Sequence, residues 1–197
     1  MQAICQPLLW IIAAAVAAGL VRSESPPQSA RPTIPAAYRI HGVPFAEPHR
    51  DWCGPAALAA VLQYHGEDVN ARQIADDIHL PHYRGALTLD LLLWARRRGC
   101  RAWAKTASAD LLKSAIARDR PVICLLRKRG RLADRNHFVI VLGYQDDPPV
   151  WLLDTGERRE RRIAAPDFER NWRDCGSWML VVEGRAPSRP EPDDDSP

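Results

Sequence analysis

One stretch of the sequence, residues 51–66, constrains the fold more than any other. Pro55 has a fixed φ and no backbone N–H, which suits the first position of a helix. The residues after it are mostly Ala, Leu and Gln, which are good helix formers, and Gly66 provides the stop. The stretch therefore predicts a helix with one buried face. Four residues at helical spacing define that face: Leu58, Val61, Leu62 and His65.

Cys53 stands just before this predicted helix. The first backbone N–H groups of a helix have no partners within it, and the positive end of the helix dipole lies there. Both features favour a thiolate over a thiol, and the thiolate is the nucleophilic form of cysteine. The same N–H groups can stabilise an oxyanion. The stretch therefore indicates a nucleophile, and a buried cysteine in a helix cap is the alternative.

The two ends of the 197-residue chain differ from its middle in composition. Residues 1–21 contain an apolar run too short for a comfortable membrane span, which indicates a signal peptide or N-terminal membrane anchor. A periplasmic or secreted protein is therefore expected. Residues 22–38 are rich in Pro and Ser and predict a linker, whereas residues 184–197 predict a disordered acidic tail. One domain remains, over residues 39–183.

Arginine dominates the basic residues, and the formal net charge is +3. Most arginine clusters are expected on solvated faces, because nucleic-acid binding requires a basic stripe with groups that read or stack on bases. Export also argues against nucleic acid as a partner. One arginine-rich segment leads directly to His137, where it could recognise an anionic substrate. The candidate substrate-binding residues are Trp52, Arg127, Arg129 and Arg131.

The other cysteines have structural interpretations. Cys5 precedes the N-terminal apolar run, so it cannot be a lipoprotein cysteine released by cleavage after that run. Cys124 lies among Val, Ile and Leu and is expected to be a buried apolar residue. Cys100 and Cys175 could form a disulfide if the compartment is oxidising. Because there is no C-x-x-C motif and only two histidines are closely spaced, no metal site is predicted.

Helix signals dominate the first part of the predicted domain, and strand signals dominate the second. Further helices are predicted at residues 70–78, 88–98, 108–118 and 166–172, with caps at Asn70, Thr88 and Ser108. In the third helix Leu89, Leu92, Leu93 and Arg96 recur at helical spacing, which predicts one side of the helix. Strands are predicted at residues 101–106, 122–126, 137–142, 150–153 and 178–182. This order predicts an α+β domain, with N-terminal helices packed on a C-terminal antiparallel sheet.

Two polar residues flank a predicted hairpin. His137 opens one strand and Asp154 follows the next. In an antiparallel hairpin the start of one strand lies beside the end of the other, so both residues are expected at one end of the sheet. A carboxylate that holds the imidazole keeps the tautomer that accepts a thiol proton. If the sheet packs beside the first helix, Cys53 can complete a triad. A surface histidine and an ordinary turn at Asp154 are the alternatives.

These residues resemble the motifs of cysteine peptidase family 39. Its members are papain-like peptidases that remove double-glycine leaders from bacteriocins, and their stand-alone relatives. The resemblance rests on residues 53–58, 137–144 and 153–154, and it covers roughly residues 43–183. It implies a papain-like α+β fold, a peptide or protein substrate, and no metal or cofactor. It also implies these roles: nucleophile for Cys53, general base and acid for His137, and imidazole orientation for Asp154.

Two departures from the family pattern bear on function. The family usually has a glutamine five or six residues before the cysteine, which helps to hold the oxyanion, but this chain has Glu47 and Pro48 there. An ionised carboxylate cannot donate a hydrogen bond, so the candidate donors are a protonated Glu47, His49 and the backbone at Cys53. The family's leader peptidases are fused to ABC transporters, whereas this sequence has no G-x-x-x-x-G-K-S/T motif. It is more similar to the exported stand-alone members.

The sequence therefore predicts an exported cysteine peptidase that hydrolyses peptide bonds through an acyl-enzyme intermediate. Two alternatives stay open. The missing glutamine favours a binding module that keeps the fold without turnover. The arginine-rich segment before His137 favours a papain-like amidase or acyl-transfer enzyme that acts on anionic envelope material.

Overall fold

The computed structural model describes residues 33–49, 51–83, 85–130 and 134–185. Within these ranges the helices are α1 (Cys53–Tyr64), α2 (Ala71–Ile78), α3 (Thr88–Arg97), α4 (Ala109–Ile116) and α5 (Ala165–Arg173). The strands are β1 (Ala37–Arg39), β2 (Cys100–Thr106), β3 (Val122–Lys128), β4 (Arg135–Asp146), β5 (Pro149–Asp154), β6 (Glu160–Ala164) and β7 (Trp178–Arg185). Every predicted helix and strand is present, and β1 and β6 are additional.

The strands form one antiparallel sheet in the order β2-β7-β3-β4-β5-β6. β1 pairs with residues 143–145 of β4. It lies along the same edge of β4 as β3, beyond the point where the pairing with β3 ends. Gly143 permits this close approach, because a Cβ there would lie 2.5 Å from the carbonyl oxygen of Tyr38. The predicted α+β class with an antiparallel sheet is confirmed.

Alternate residues of each strand point to opposite faces of the sheet, and each face carries its own core. In β4, Phe138, Ile140 and Leu142 pack with α1, α2 and α3. Val139 and Val141 pack on the other side with α4 and α5. The sheet is therefore covered on both faces, and α1 to α3 share the face on which the candidate site lies.

α1 is buried along almost its entire length. Residues 54–62 are all buried, because α1 packs against β4 on one side and against α2 and α3 on others. The prediction of a single buried face is therefore wrong. His65, which was assigned to that face, follows the helix and is only half-buried. Since small alanines cover much of the helix, its neighbours can approach it from several directions.

The caps of α2 and α4 are confirmed, and the details of α3 differ from the prediction. Asn70 and Ser108 accept hydrogen bonds from the third backbone N–H of their helices. Thr88 is not a cap, because α3 begins at Thr88 and Leu87 occupies the cap position without a side-chain hydrogen bond. The predicted apolar side is also wrong. The residues of α3 that are buried are Leu91, Trp94 and Ala95, whereas Leu89 and Leu93 are exposed.

The described chain extends the sheet beyond the predicted domain limits. β1 begins at Ala37, inside the segment predicted as a linker, and β7 continues to Arg185. The predicted N-terminal signal or anchor lies outside the described residues, as do most of the linker and the acidic tail, so these stay predictions. Among the described residues, no helix is long and apolar enough to cross a membrane.

The described cysteines are all free thiols. The pairing of Cys100 with Cys175 is therefore wrong. Cys100 is buried at the start of β2, whereas Cys175 follows α5 and donates to Oδ1 of Asn136 at 3.5 Å. Cys124 is fully buried in β3, as predicted. Cys5 lies outside the described residues.

Candidate active site

Close packing of α1 on β4 brings the predicted nucleophile to the predicted base. Cys53 is the first residue of α1, directly after the N-cap residue Trp52. Gly54 follows, and a Cβ on it would lie 3.0 Å from the ring of Phe138, the neighbour of His137 in β4. Because Gly54 has no side chain, the helix start can lie against the strand. The Cys53 thiol and the His137 imidazole are hydrogen-bonded as a result.

The surroundings of Cys53 favour its thiolate. Burial alone would raise the pKa of this thiol. The hydrogen bond and charge of His137 oppose that effect, and the backbone N–H groups of Phe138 and Gly54 also donate to the sulfur. The net pKa lies below the ordinary value for cysteine. This agrees with the sequence prediction of a helix-start thiolate, whereas the contribution from Phe138 could not be predicted before the packing of α1 on β4 was known.

The same contact favours the protonated imidazole. Burial lowers the pKa of His137, but the hydrogen bond and charge of Cys53 outweigh it, so the net pKa is raised. The Nε2 atom of His137 lies 3.0 Å from the carbonyl oxygen of Thr155. A carbonyl can only accept, so Nε2 carries a proton and Nδ1 is left to face the sulfur. The contact between the two residues thus favours the charged form of each, the thiolate of Cys53 and the imidazolium of His137.

Asp154 is the buried charged residue of the described chain, with 1% of its surface exposed. Its carboxylate accepts hydrogen bonds from the N–H of Ala46 at 2.5 Å and of Gly156 at 2.8 Å. Burial raises the pKa of this carboxyl group, and the two N–H donors and the charge of His137 offset only part of that increase. In the β4–β5 register Asp154 lies opposite Ile140. The sequence predicts that His137 and Asp154 lie at one end of the sheet. The contact of His137 with Thr155, the residue after Asp154, agrees with this prediction.

The structure differs from the predicted triad in how the imidazole is held. The ring contacts the carbonyl of Thr155, and the Asp154 carboxylate instead fixes the backbone on both sides of the site. Its bond to Gly156 holds the turn that carries Thr155. Its bond to Ala46 holds the segment that carries Glu47 and His49. A backbone carbonyl has no sequence signature, so Thr155 could not be predicted.

A small cavity of about 30 Å³ lies behind the thiol, and both side-chain oxyanion candidates line it. His49 stacks on Trp52 with ring centroids 3.7 Å apart. Its Nδ1 atom accepts the backbone N–H of Asp51 at 3.3 Å, so a neutral His49 carries its proton on Nε2 and can donate from there. Glu47 and His49 are both exposed, but the carboxyl group of Glu47 can donate only when it is protonated. Of the two, His49 has the better-defined donor.

A larger cleft of about 760 Å³ opens in front of Cys53 and His137. One wall consists of residues 85–88, which lead into α3. The other consists of residues 134–138 together with Leu125 and Lys128 of β3. A cleft of this size can hold several residues of an extended peptide.

The structure does not bring Arg127 or Arg129 to this cleft. Arg129 forms an ion pair with Asp174 at 3.0 Å, and Arg127 acts electrostatically on the thiol of Cys175. Trp52 stacks on His49 beside the small cavity. Arg131 lies outside the described residues. The basic residues that do line the cleft, Lys128 and Arg135, were missed.

The residues of the site offer no metal-binding cluster. Across the described ranges, no three His, Cys, Asp or Glu side chains come together in a way that could hold a metal ion. The reactive groups that the described residues bring together are the thiol, the imidazole and hydrogen-bond donors. These groups suit acyl transfer through a thioester.

A cysteine at the start of a buried helix, paired with a histidine from an antiparallel sheet, defines the papain-like class of fold. The sequence profile of the Peptidase C39-like family matches residues 33–178. The chain belongs to this family, as the resemblance of its motifs predicts. Fold and family together support a peptidase-like function.

Solved structures confirm the fold. A protein from Bacillus anthracis described as a C39-like peptidase superposes with a TM-score of 0.62 at 15% identity, over 78% of this chain and 100% of that one. The peptidase domain of Streptococcus ComA, a bifunctional ABC transporter of a quorum-sensing pathway, gives 0.57 at 17% identity, over 72% and 98%. A double-glycine-motif protease from an AMS/PCAT transporter, in complex with its leader peptide, gives 0.54 at 20% identity, over 74% and 96%. No curated protein sequence matches the chain.

Proposed function

We propose that this protein is a cysteine peptidase that hydrolyses peptide bonds through an acyl-enzyme intermediate. The observation that carries the proposal is the position of Cys53 at the start of α1, against the strand that carries His137, with the imidazole held by the carbonyl of Thr155. The lowered pKa of the thiol and the raised pKa of the imidazole agree with a nucleophile and its base. Export, which the apolar N-terminal segment predicts, is part of the proposal.

The reaction would use the two residues in turn. The Cys53 thiolate attacks the carbonyl carbon of the scissile bond and forms a tetrahedral oxyanion. The His137 imidazolium then gives its proton to the leaving amine, the C–N bond breaks, and a thioester remains. A water molecule loses a proton to His137, attacks the thioester and releases the carboxylic acid. The thiolate and the imidazolium are restored together.

The oxyanion would be held by the helix start and by His49. The backbone N–H of Cys53 has no acceptor within α1, because it belongs to the first turn. His49 Nε2 is the side-chain donor of choice in the small cavity that Cys53 and His137 also line. We assign His49 the role that the family gives to glutamine, and Asp154 the role of a positioning residue. A peptide substrate is supported by the leader peptide bound to the double-glycine-motif protease of the same fold.

The test is cleavage of a defined peptide mixture by the full chain. Denatured bacterial protein, digested to peptides, would be incubated with the reduced protein, and new termini would be identified by mass spectrometry. We expect cleavage that Cys53→Ala abolishes and that Cys175→Ser, which changes another free thiol, leaves intact. His49→Ala should lower kcat by about 10²-fold, the effect of losing one oxyanion donor, whereas Glu47→Ala should have little effect. If the wild-type protein produces no new termini, the peptidase proposal is wrong and a binding role takes its place.

A further inference from the structure

Two basic side chains face each other on the cleft wall beside the proposed catalytic residues. Lys128, the last residue of β3, pairs directly with Arg135, the first residue of β4. Both are exposed, and both line the same cleft as Cys53 and His137. Like charges directly opposite each other in an antiparallel pair destabilise a sheet. The repulsion between Lys128 and Arg135 therefore disfavours folding. This points to a role for the two cations in the cleft.

Neither side chain has a counter-ion in the described chain. The neighbouring Arg129 is neutralised by Asp174, and many other surface arginines of the protein are paired in the same way. Asp51 and Asp134 also line the cleft. The wall thus presents two cations whose charge is available to a bound molecule.

The β3–β4 register sets the distance from these cations to the reaction centre. His137 lies opposite Leu126, and Arg135 lies opposite Lys128, two residues further along both strands. A strand rises about 3.4 Å per residue, so the cations lie about 7 Å along the sheet from the level of His137. An extended peptide has nearly the same rise. For a peptide that runs along β4, the cations would therefore meet a substrate side chain about two residues from the bond that is cut.

We propose that Lys128 and Arg135 together bind an acidic side chain of the peptide substrate, about two residues from the scissile bond. The inference rests on the proposed peptidase function and specifies its substrate class. Arg135 offers a planar fork that can bind a carboxylate with two hydrogen bonds, and Lys128 adds a point charge. Binding would also relieve the repulsion between the two cations.

The effect on the reaction centre is consistent with this assignment. The charge of Lys128 opposes protonation of His137 and so acts to lower its pKa. A carboxylate bound between Lys128 and the solvent would offset that charge and favour the imidazolium that protonates the leaving amine. An acidic substrate is therefore expected to gain in the chemical step as well as in binding.

The test compares matched peptides and matched variants. Cleavage sites found in the peptide mixture would first be examined for Asp or Glu within three residues of the cut. One cleaved peptide would then be made with Glu and with Gln at the enriched position. We expect about a tenfold advantage in kcat/KM for Glu, which is what about 1.4 kcal/mol provides. The advantage should shrink as salt is raised from 0.05 M to about 0.5 M, because exposed charges are screened.

The variants separate local recognition from net charge. Lys128→Gln/Arg135→Gln should bring the Glu-to-Gln ratio close to one, and Lys128→Glu/Arg135→Glu should reverse it in favour of Gln. The control Arg118→Gln/Arg173→Gln removes the same charge from two exposed positions that do not line the cleft, one just after α4 and one at the end of α5, and should keep the ratio. Lys128→Gln/Arg135→Gln also removes the repulsion between the two cations, so this variant is expected to fold.

Each outcome decides the inference. Cleavage of peptides without acidic enrichment, or a ratio that Lys128→Gln/Arg135→Gln does not change, would overturn it and leave the peptidase proposal intact. No cleavage of any peptide by the wild-type protein would overturn both. Release of acyl groups from anionic cell-wall fragments, with peptides left uncut, would show that the cations serve a different substrate, and the inference would again be wrong.

Discussion

Cys53 and Cys124 are the same residue type in two parts of one fold, and their chemistry is opposite. Cys124 is fully buried in the middle of β3, and burial raises the pKa of its thiol well above the ordinary value. Cys53 lies at the start of α1, where burial also acts to raise the pKa, yet the net pKa is lowered. Burial is thus common to both sites and cannot be what makes one of them reactive.

The difference lies in the groups that face each sulfur. Cys124 has only apolar neighbours in its core, so nothing stabilises a negative charge there. Cys53 has the imidazole of His137 and the backbone N–H groups of Gly54 and Phe138. Strand N–H groups within the ladder are already paired, whereas those of a helix start are free, and Phe138 precedes the part of β4 that pairs with β5. Position in the secondary structure, together with one histidine, decides the reactivity.

The largest change should come from removing that histidine. In His137→Ala, burial is no longer offset by the imidazole, so the pKa of Cys53 should rise and the residue should become similar to Cys124. The wild-type thiol should be alkylated with little loss of rate well below the pH at which an ordinary cysteine reacts. In the variant the rate should fall steadily as pH decreases, and at pH 7 it should be at least about tenfold lower, the effect of one pKa unit.

The measurement is the rate of Cys53 alkylation by iodoacetamide as a function of pH, followed by mass spectrometry of the labelled peptide. Cys124 in the same samples serves as the inert reference. His41→Ala, a change at an exposed histidine, should keep the wild-type profile. If His137→Ala also keeps it, the ion pair does not exist and the contrast between the two cysteines has another cause.

A smaller effect is expected from Asp154→Ala, which acts on the surroundings of Cys53 through the backbone. The change leaves the buried N–H groups of Ala46 and Gly156 without an acceptor, which should cost about 2–4 kcal/mol in unfolding free energy. It also releases the turn that carries Thr155, so the imidazole is less well held. Alkylation of Cys53 should slow several-fold, less than in His137→Ala, and Cys124 should be unaffected.

The pH dependence of stability gives Asp154 a separate signature. Because burial raises its pKa in the folded state, that state binds more protons than the unfolded one between about pH 4, the unfolded value, and the folded pKa. The contribution of Asp154 is therefore fully present at acidic pH and declines as pH rises through this window. Urea unfolding should show the largest gap between wild type and Asp154→Ala at the acidic end. A gap that widens with pH would contradict this, and Asp68→Asn, at an exposed carboxylate, should show no such trend.

The same comparison shows what could be predicted from the sequence. The helix start beside Cys53 and the burial of Cys124 are predicted correctly, because a proline two residues after a cysteine and a run of Val, Ile and Leu are local signals. Contacts between distant segments had no such signal, and these include the carbonyl of Thr155 and the N–H of Phe138. β6 also had none, since Glu160–Ala164 is a largely exposed edge strand without an apolar alternation.

Two predictions were wrong about which side chains face the core or the cleft, and both errors have the same physical origin. The leucines of α3 surround much of the helix, so spacing alone could not show that Leu91 faces the core while Leu89 and Leu93 are exposed. In the basic segment before His137, arginines are more numerous than lysine. The substrate-binding prediction therefore named arginines and missed Lys128. Which of them reaches the cleft depends on how the ends of β3 and β4 lie against α1. That is a property of packing, which a single sequence does not contain.

The smallest effect, and the most selective, is expected from Gly54→Ala. The added Cβ would lie 3.0 Å from Cδ2 of Phe138 and 3.4 Å from Cδ1 of Leu91, so the start of α1 must shift by a few tenths of an ångström. The better helix propensity of alanine, about 1 kcal/mol, should offset the strain and leave the unfolding free energy nearly unchanged. The Cys53–His137 hydrogen bond should lengthen, so alkylation should slow two- to threefold.

Gly66→Ala gives the reverse case. A Cβ at Gly66 would meet no other atom, but the φ of this residue is +82°, which strains any other amino acid. The substitution should therefore cost about 1 kcal/mol of unfolding free energy and leave the Cys53 thiol as reactive as before. If both variants change stability and alkylation in parallel, the reactivity of Cys53 follows global stability and does not depend on the local fit of α1 against β4.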